Sequence, residues 1–159
     1  MNTAILLIGG NLGDPKLNLE KAVQLIGEIA GQVTKKSALY QTAPWGVVDQ
    51  PDYINQGLEV QTEMDAPTLL QCLLEIERII GRVRQEKWGS RVIDIDMIFF
   101  NADVISLPEL KIPHPRMQLR NFVLTPLEEI IPEFKHPVLH QTVSQLLAAS
   151  PDKLPAYKL

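Results

Sequence analysis

Two aspartates separated by one residue, Asp94 and Asp96, stand in the apolar run Val92-Ile93-Asp94-Ile95-Asp96-Met97-Ile98-Phe99-Phe100. The run reads as a strand, and on a strand residues two apart share a face, about 6–7 Å from each other. Ile93, Ile95, Met97 and Phe99 are then expected on the other face, in a core beneath helices. Two carboxylates on so apolar a strand are costly to bury unless a cation or hydrogen bonds offset the desolvation. Hard oxygen ligands at this spacing suit Mg²⁺, which takes one or two carboxylates and completes its octahedron with water and substrate phosphates. An open sheet face with solvated acids is the alternative that spacing alone leaves.

The preceding segment, Gly81-Arg82-Val83-Arg84-Gln85-Glu86-Lys87-Trp88-Gly89-Ser90-Arg91, turns this toward phosphate. It carries four cations, an indole and two glycines within eleven residues. Phosphoryl transfer needs metal and guanidinium groups that share the charge on phosphate oxygens. Arginine also presents a planar fork that fits those oxygens. A solvated charged loop is the competing reading of such a run. Gly9-Gly10-Asn11-Leu12-Gly13, by contrast, matches neither G-x-x-x-x-G-K-[ST] nor G-x-G-x-x-G. Asp14 would moreover set a carboxylate where a helix N-terminus would hold phosphate, so a tight strand-to-helix turn is expected there.

Tyr53 and Asn55 share one strand face and offer a stacking ring beside a side-chain amide, which suits a flat heteroaromatic ligand. The same pair is common on sheets without one. His114, in Pro113-His114-Pro115-Arg116-Met117, follows the aspartate strand closely enough to contact a phosphate. His136 and His140 have no nearby acid pattern, and Cys72, among Leu69, Leu70, Leu73 and Leu74, reads as a core residue.

The elements that must position these groups follow from short-range patterns. Ala4 to Ile8 is a short apolar run stopped by Gly9-Gly10 and reads as a buried strand. Asp14-Pro15 opens a helix whose Leu19, Ala22, Val23, Ile26 and Ile29 recur at helical spacing up to Gly31. Val33 to Tyr40 and Tyr53 to Met64 read as strands, joined by a proline-bearing loop from Ala43 to Pro51. Asp65 caps a second helix, with Leu69, Leu73, Ile76 and Ile80 on its apolar stripe and Gly81 at its end. The order β-α-β-β-α-β predicts an α+β, ferredoxin-like fold, an antiparallel sheet with both helices on one face. The proline-rich remainder should wrap that core in turns and short helices, with Val143 to Ala149 helical. One domain over 1–159 is expected, its core about 3–100 and its wrap about 101–159.

Composition agrees. The 159 residues are 45% hydrophobic and 21% charged, which fits a globular chain and excludes a wholly disordered one. Fifteen Lys plus Arg against nineteen Asp plus Glu leave a formal charge of −4, which argues against nucleic acid held through its phosphates. One cysteine excludes an intramolecular disulfide. No apolar run reaches the ~18 residues of a membrane span, and Met1-Asn2-Thr3-Ala4 lacks the basic start of a secretory signal. A cytoplasmic protein without a membrane or nucleic-acid partner is expected.

Taken together, the motifs resemble the 6-hydroxymethyl-7,8-dihydropterin pyrophosphokinase family of folate biosynthesis, from Ile5 to about Glu129. The likeness runs through Gly9-x-Asn11-Leu12-Gly13, Gln50-Pro51-Asp52-Tyr53-Ile54-Asn55 and Gly81-Arg82-Val83-Arg84. It continues in Trp88-Gly89-x-Arg91, Asp94-Ile95-Asp96, Pro113-His114-Pro115-Arg116-Met117 and Arg120-x-Phe122-Val123-Leu124. The resemblance implies transfer of the terminal pyrophosphoryl group of ATP to the hydroxymethyl oxygen of the pterin, with release of AMP. It implies two Mg²⁺ ions on Asp94 and Asp96, and Arg82 and Arg91 as catalytic cations. Glu77, Arg82, Arg84, Trp88, Arg91, His114 and Arg120 fall where the family contacts or encloses ATP. The pterin would stack between Tyr53 and Phe122, its edge held by Asn55, Thr42 and the Pro44-Trp45 backbone. Loops around Gly46 to Asp49 and Arg82 to Arg91 would close over both substrates, and a downstream folate enzyme is a conceivable partner.

This chain departs from the family pattern at Gly10, where serine is usual, at Lys87, where arginine is common, and at Ser90, where proline is frequent. Lys87 keeps the charge without the fork, and Ser90 leaves the loop less restricted. The competing class is a non-catalytic ferredoxin-like module, binding RNA or a regulatory small molecule. An RNA-recognition module should show a basic, aromatic strand, whereas Ile93 to Phe100 is acidic. A regulatory module would have no use for Arg82, Arg84 and Arg91 beside two strand aspartates.

Overall fold

Asp14 and Asp65 each start a helix by accepting a backbone N–H, from Leu17 at 3.2 Å and from Thr68 at 2.9 Å. Each is followed by a proline in the first turn, where a missing N–H costs nothing. The computed structural model describes residues 1–44, 49–81 and 92–159. Its first elements are β1 (Asn2–Gly10), α1 (Pro15–Ile29), β2 (Gln32–Lys36), β3 (Tyr40–Thr42), β4 (Tyr53–Thr62), α2 (Ala66–Ile80) and β5 (Asp94–Phe100). Gly81 ends α2 at φ +113°, a left-handed conformation that favours glycine.

Val33 to Tyr40, expected as one strand, is broken into β2 and β3. The break falls at Ser37, whose hydroxyl accepts the Gly57 N–H at 2.9 Å and donates to the Ala38 carbonyl at 2.7 Å. A side chain there substitutes for one rung of the backbone ladder.

The later elements are β6 (Ile105–Leu107), β7 (Leu110–Ile112), a 3₁₀ turn at Met117–Leu119, α3 (Asn121–Ile130), α4 (Val143–Ala148) and β8 (Tyr157–Lys158). The main sheet runs β5-β1-β4-β3-β8, with β2 also on β4, and every pairing in it is antiparallel. The β6–β7 hairpin, two three-residue strands, escaped the sequence pattern.

Alternation along β1 sorts the core into two layers. Ala4, Leu6 and Ile8 face α1 and α2, packing with Leu19, Ile26, Leu69, Leu73 and Ile76. Ile5 and Leu7 face the other way and pack under α3 and α4, with Val123, Leu124, Leu127 and Leu146. Ile93, Ile95 and Met97 take the first face as expected, but Phe99 does not. A bulge shifts the register between Ile5↔Phe99 and Leu6↔Met97, so Phe99 turns to the second layer, against Phe134.

The wrap contains a longer helix than its prolines suggested. Pro126 lies inside α3 and forfeits one helical hydrogen bond, a cost of about 3 kcal/mol. Burying Val123, Leu124, Leu127 and Ile130 at about 1.5–3 kcal/mol each outweighs that cost. Val143 to Ala148 is helical as the pattern predicts, closed by a capping box of Thr142 and Gln145. Cys72 sits at the margin of the first layer, with its thiol directed at the Ile29 carbonyl at 3.5 Å.

Candidate functional site

Antiparallel partners that lie directly opposite share a sheet face, so the register itself assembles the site. Gly9 of β1 pairs with Asp94 on one side and Asn55 on the other, and Asn55 pairs in turn with Tyr40. One step inward, Leu7 stands between Asp96 and Gly57; at the outer end, Thr42 pairs with Tyr53. Asp94, Asp96, Asn55, Tyr53 and Thr42 therefore all project from the second face, at the end where β1 and β3 finish and β4 and β5 begin. With strands about 4.8 Å apart, Asp94 and Asn55 are separated by two strand spacings, or about 10 Å.

Deeper in, the same face is closed by α3. A Cβ on Gly57 would come within 3.1 Å of Leu127. Most of this face is covered core, and only its end keeps polar groups. Asp96 is exposed and Asp94 half-buried. Thr42 and Asn55 are buried.

Asn55 lies flat over Gly9, whose missing side chain makes the room. A Cβ there would collide with Asn55 Oδ1 and approach the Ile54 carbonyl at 3.1 Å. Asn55 Nδ2 is buried without a hydrogen-bond partner among the described residues. A buried donor left in this state costs about 1–3 kcal/mol, so a partner from a ligand would be strongly favoured.

The start of α3 overhangs the site. Arg120 caps it with its backbone, and Phe122 lies half-buried in the first turn, its ring 5.8 Å from the Arg120 guanidinium. Burial and the neighbouring Arg116 pull the Arg120 pKa down, while Asp96 and Asp152 act in the opposite sense, which puts Arg120 within the field of the aspartate pair. His114 is tied to β5 by its backbone N–H, which donates to the Ile98 carbonyl at 3.0 Å. Burial, with Arg120 and Arg116 nearby, pushes its pKa down to about 4, and its Nδ1 is buried without a partner among the described residues. His114 is therefore held as the neutral imidazole by its protein surroundings.

Glu77 reaches the site from behind. It is buried on α2, and its Oε2 accepts the N–H of Ile95, the residue between the two aspartates, at 2.7 Å. Pattern reading missed what Asn11 does: its Nδ2 donates to Gln50 Oε1 at 2.9 Å and to the Pro51 carbonyl at 3.0 Å, fastening the turn after β1 to the approach to β4. An asparagine inside a glycine-rich turn was the available signal. Trp45, Arg82, Arg84, Trp88 and Arg91, with Lys87 and Ser90, lie outside the described residues. Pro44 is half-buried just beyond β3.

No group of three or more metal-ligating side chains occurs among the described residues. Paired carboxylates, an arginine and a histidine at one end of an antiparallel α+β sheet are the kinds of group that transfer of a phosphate-type group uses.

The particular family follows from comparison with known proteins. A model of the 7,8-dihydro-6-hydroxymethylpterin-pyrophosphokinase (HPPK) family matches residues 5–132, and the chain belongs to that family. It is 41% identical over 145 residues to the 2-amino-4-hydroxy-6-hydroxymethyldihydropteridine pyrophosphokinase of Synechocystis sp., covering 91% of this chain and 74% of that protein. The enzyme of the same name from Methylorubrum extorquens is 39% identical over 149 residues, covering 93% of each. Among solved structures, a Plasmodium falciparum HPPK-DHPS triple mutant superposes with a TM-score of 0.78 at 21% identity, a likeness of fold. That match covers 92% of this chain but 43% of the Plasmodium chain, so the chain spans under half of the fused protein. The activity is pyrophosphoryl transfer to hydroxymethyldihydropterin in folate biosynthesis, with ATP as the family's co-substrate.

Proposed function

We propose that this chain carries out the transfer at the β5 end of the second sheet face, with ATP over Asp94 and Asp96 and the pterin over Asn55. The observation that carries this reading is the row Asp94–Gly9–Asn55, which sets the first carboxylate about 10 Å from a buried amide nitrogen that has no hydrogen-bond partner among the described residues. Asn55 and Thr42, with the backbone at Pro44 and Trp45, hold the edge of the pterin, and Tyr53 and Phe122 stack on its two faces. Asp94 and Asp96 would hold two Mg²⁺ ions, which would share the charge of the phosphate oxygens.

In the reaction, the hydroxymethyl oxygen gives up its proton to solvent and forms a bond to the β-phosphorus as the bond to the bridging oxygen of the α-phosphate breaks, and AMP leaves with that oxygen. Arg82 and Arg91 are the cations assigned to the transferring group, with Arg84, Trp88, His114 and Arg120 around the nucleotide. Glu77 supports the aspartate strand from behind through the Ile95 N–H. Neutral His114 contacts phosphate oxygen as a hydrogen-bond donor without adding charge.

We read the chain as a single ferredoxin-like domain of the cytoplasm, since β5-β1-β4-β3 follows that topology and no described helix is long and apolar enough to cross a membrane. The DHPS unit joined to the Plasmodium homologue supports a downstream folate enzyme as partner. The test is product analysis with ATP, Mg²⁺ and reduced hydroxymethylpterin. AMP is expected; ADP would mean ordinary kinase action, and no nucleotide turnover would return the chain to a binding role.

A further inference from the structure

Helix α3 begins without a cap of its own. The residue at its N-cap is Arg120, whose side chain makes no capping hydrogen bond. A cation is also the wrong charge for the positive end of a helix dipole. The missing acceptor arrives from the 150–159 segment: Asp152 Oδ2 accepts the N–H of Asn121, 31 positions away, at 2.8 Å. The other carboxylate oxygen accepts the Leu154 N–H at 2.9 Å, which fixes the carboxylate's orientation. Asn121 returns the contact, its Nδ2 donating to the carbonyls of Asp152 and Leu154, each at 3.2 Å.

The segment then continues to the opposite side of the site. Tyr157 and Lys158 pair with Gln41 and Tyr40 of β3, and the Leu159 N–H donates to the Leu39 carbonyl at 2.9 Å. It thus ties the start of α3 to the strand that carries Thr42. Asp152 and Asp96 both act electrostatically on the Arg120 guanidinium.

We infer that Asp152 is a positioning residue for substrate binding, a cap supplied from a distant segment that sets where Arg120 and Phe122 stand over the sheet. Asp152 touches neither substrate in this scheme. It acts through Asn121, the residue between those two, by anchoring the backbone from which both side chains project. Without the anchor the first turn of α3 frays, since an uncapped start leaves its N–H groups to water. Phe122, in that turn, is the ring with most to lose. The inference rests on the reading that Phe122 contacts the pterin, and the experiment separates the two.

Full-length Asp152→Ala, Phe122→Ala and the double variant are titrated with hydroxymethyldihydropterin in the presence of a non-hydrolysable ATP analogue and Mg²⁺. Asp152→Ala should weaken pterin binding about 5- to 30-fold, the factor that corresponds to the usual loss of a helix cap. In the Phe122→Ala background the same substitution should change affinity by less than about twofold, because two changes acting on one contact do not add. Wild-type pterin affinity in Asp152→Ala overturns the inference, and so does an equal loss in both backgrounds, which would mark general destabilisation. If Phe122→Ala alone binds pterin normally, the assignment of the pterin site fails instead. Should Asp152→Ala not fold, Asp152→Glu keeps an acceptor but displaces it by one methylene, and must show the same dependence on Phe122.

Discussion

Gly9→Ala adds one methyl group at the point where the aspartate strand, β1 and the asparagine of β4 meet. The new Cβ would overlap Asn55 Oδ1, come to 3.0 Å from Asn55 Cγ and 3.1 Å from the Ile54 carbonyl. The overlapping atom is the end of a side chain, so relief comes from rotating Asn55, while the backbone contact at 3.1 Å asks only for a shift of a few tenths of an ångström. Driving one side chain off its rotamer costs about 0.5–1.5 kcal/mol. For a domain of this size that lowers Tm by roughly 1–6 °C, at about 2–4 °C per kcal/mol. The functional loss should be larger. An amide aimed elsewhere forgoes its hydrogen bonds to the pterin edge, at about 0.5–1.5 kcal/mol each. For two bonds the sum is about 1–3 kcal/mol, or roughly 5- to 150-fold in affinity. Calorimetry with the pterin, in the presence of a non-reactive ATP analogue, reads that loss, while the analogue's own affinity should hold. Asn55→Ala should weaken the pterin by the same factor, and adding Gly9→Ala to it should weaken it little further, since the methyl then meets only the Ile54 carbonyl, at 3.1 Å. Independent, additive losses in the two variants would refute the argument that Gly9 serves only to admit Asn55.

Asp94→Ala and Asp96→Ala should each lower single-turnover AMP formation by several orders of magnitude in folded protein; near-normal rates at saturating Mg²⁺ would remove both from the metal site. Tyr53→Ala and Phe122→Ala should each cost roughly 1–3 kcal/mol of pterin affinity and spare the nucleotide, by analogy with base stacking on aromatic rings. A loss of nucleotide affinity alone would mean that the two pockets have been exchanged. His114 gives a pH signature. Its folded pKa of about 4 lies below the ordinary 6.5, so the unfolded chain takes up the proton first as pH falls. Stability is therefore fully present above pH 6.5 and declines toward pH 4, by at most about 3 kcal/mol from this group. His136 is shifted in the same direction, by burial and by His140, and adds to the loss of stability as pH falls. Urea denaturation of His114→Gln between pH 7 and 4 should show a shallower decline; an unchanged slope would clear His114 of the role.

Much of the architecture could be read locally. Asp14-Pro15 and the Asp65 cap announce their helices because capping is a contact within one turn, and the apolar stripes of α1 and α2 repeat over a few residues. Asp94 and Asp96 declared a shared face for the same reason, since alternation along a strand is a property of neighbours. The β6–β7 hairpin was invisible because three-residue strands carry too little pattern. The rupture of β2 from β3 depends on Ser37 reaching Gly57, twenty residues away.

What the residue order alone established was the chemistry available: a same-face carboxylate pair behind a cationic segment, and a ring beside an amide on another strand. Which of these groups stand together at one end of one sheet face was decided by long-range register. Gly9 joins Asp94 to Asn55 because β1 lies between β5 and β4, an order that no local spacing encodes. The bulge that sends Phe99 to the second layer, α3 closing that layer above Gly57, and Asp152 capping a helix from 31 positions downstream belong to the same category. Each is a contact between segments distant in sequence, made only once the chain has folded and core burial has selected one register.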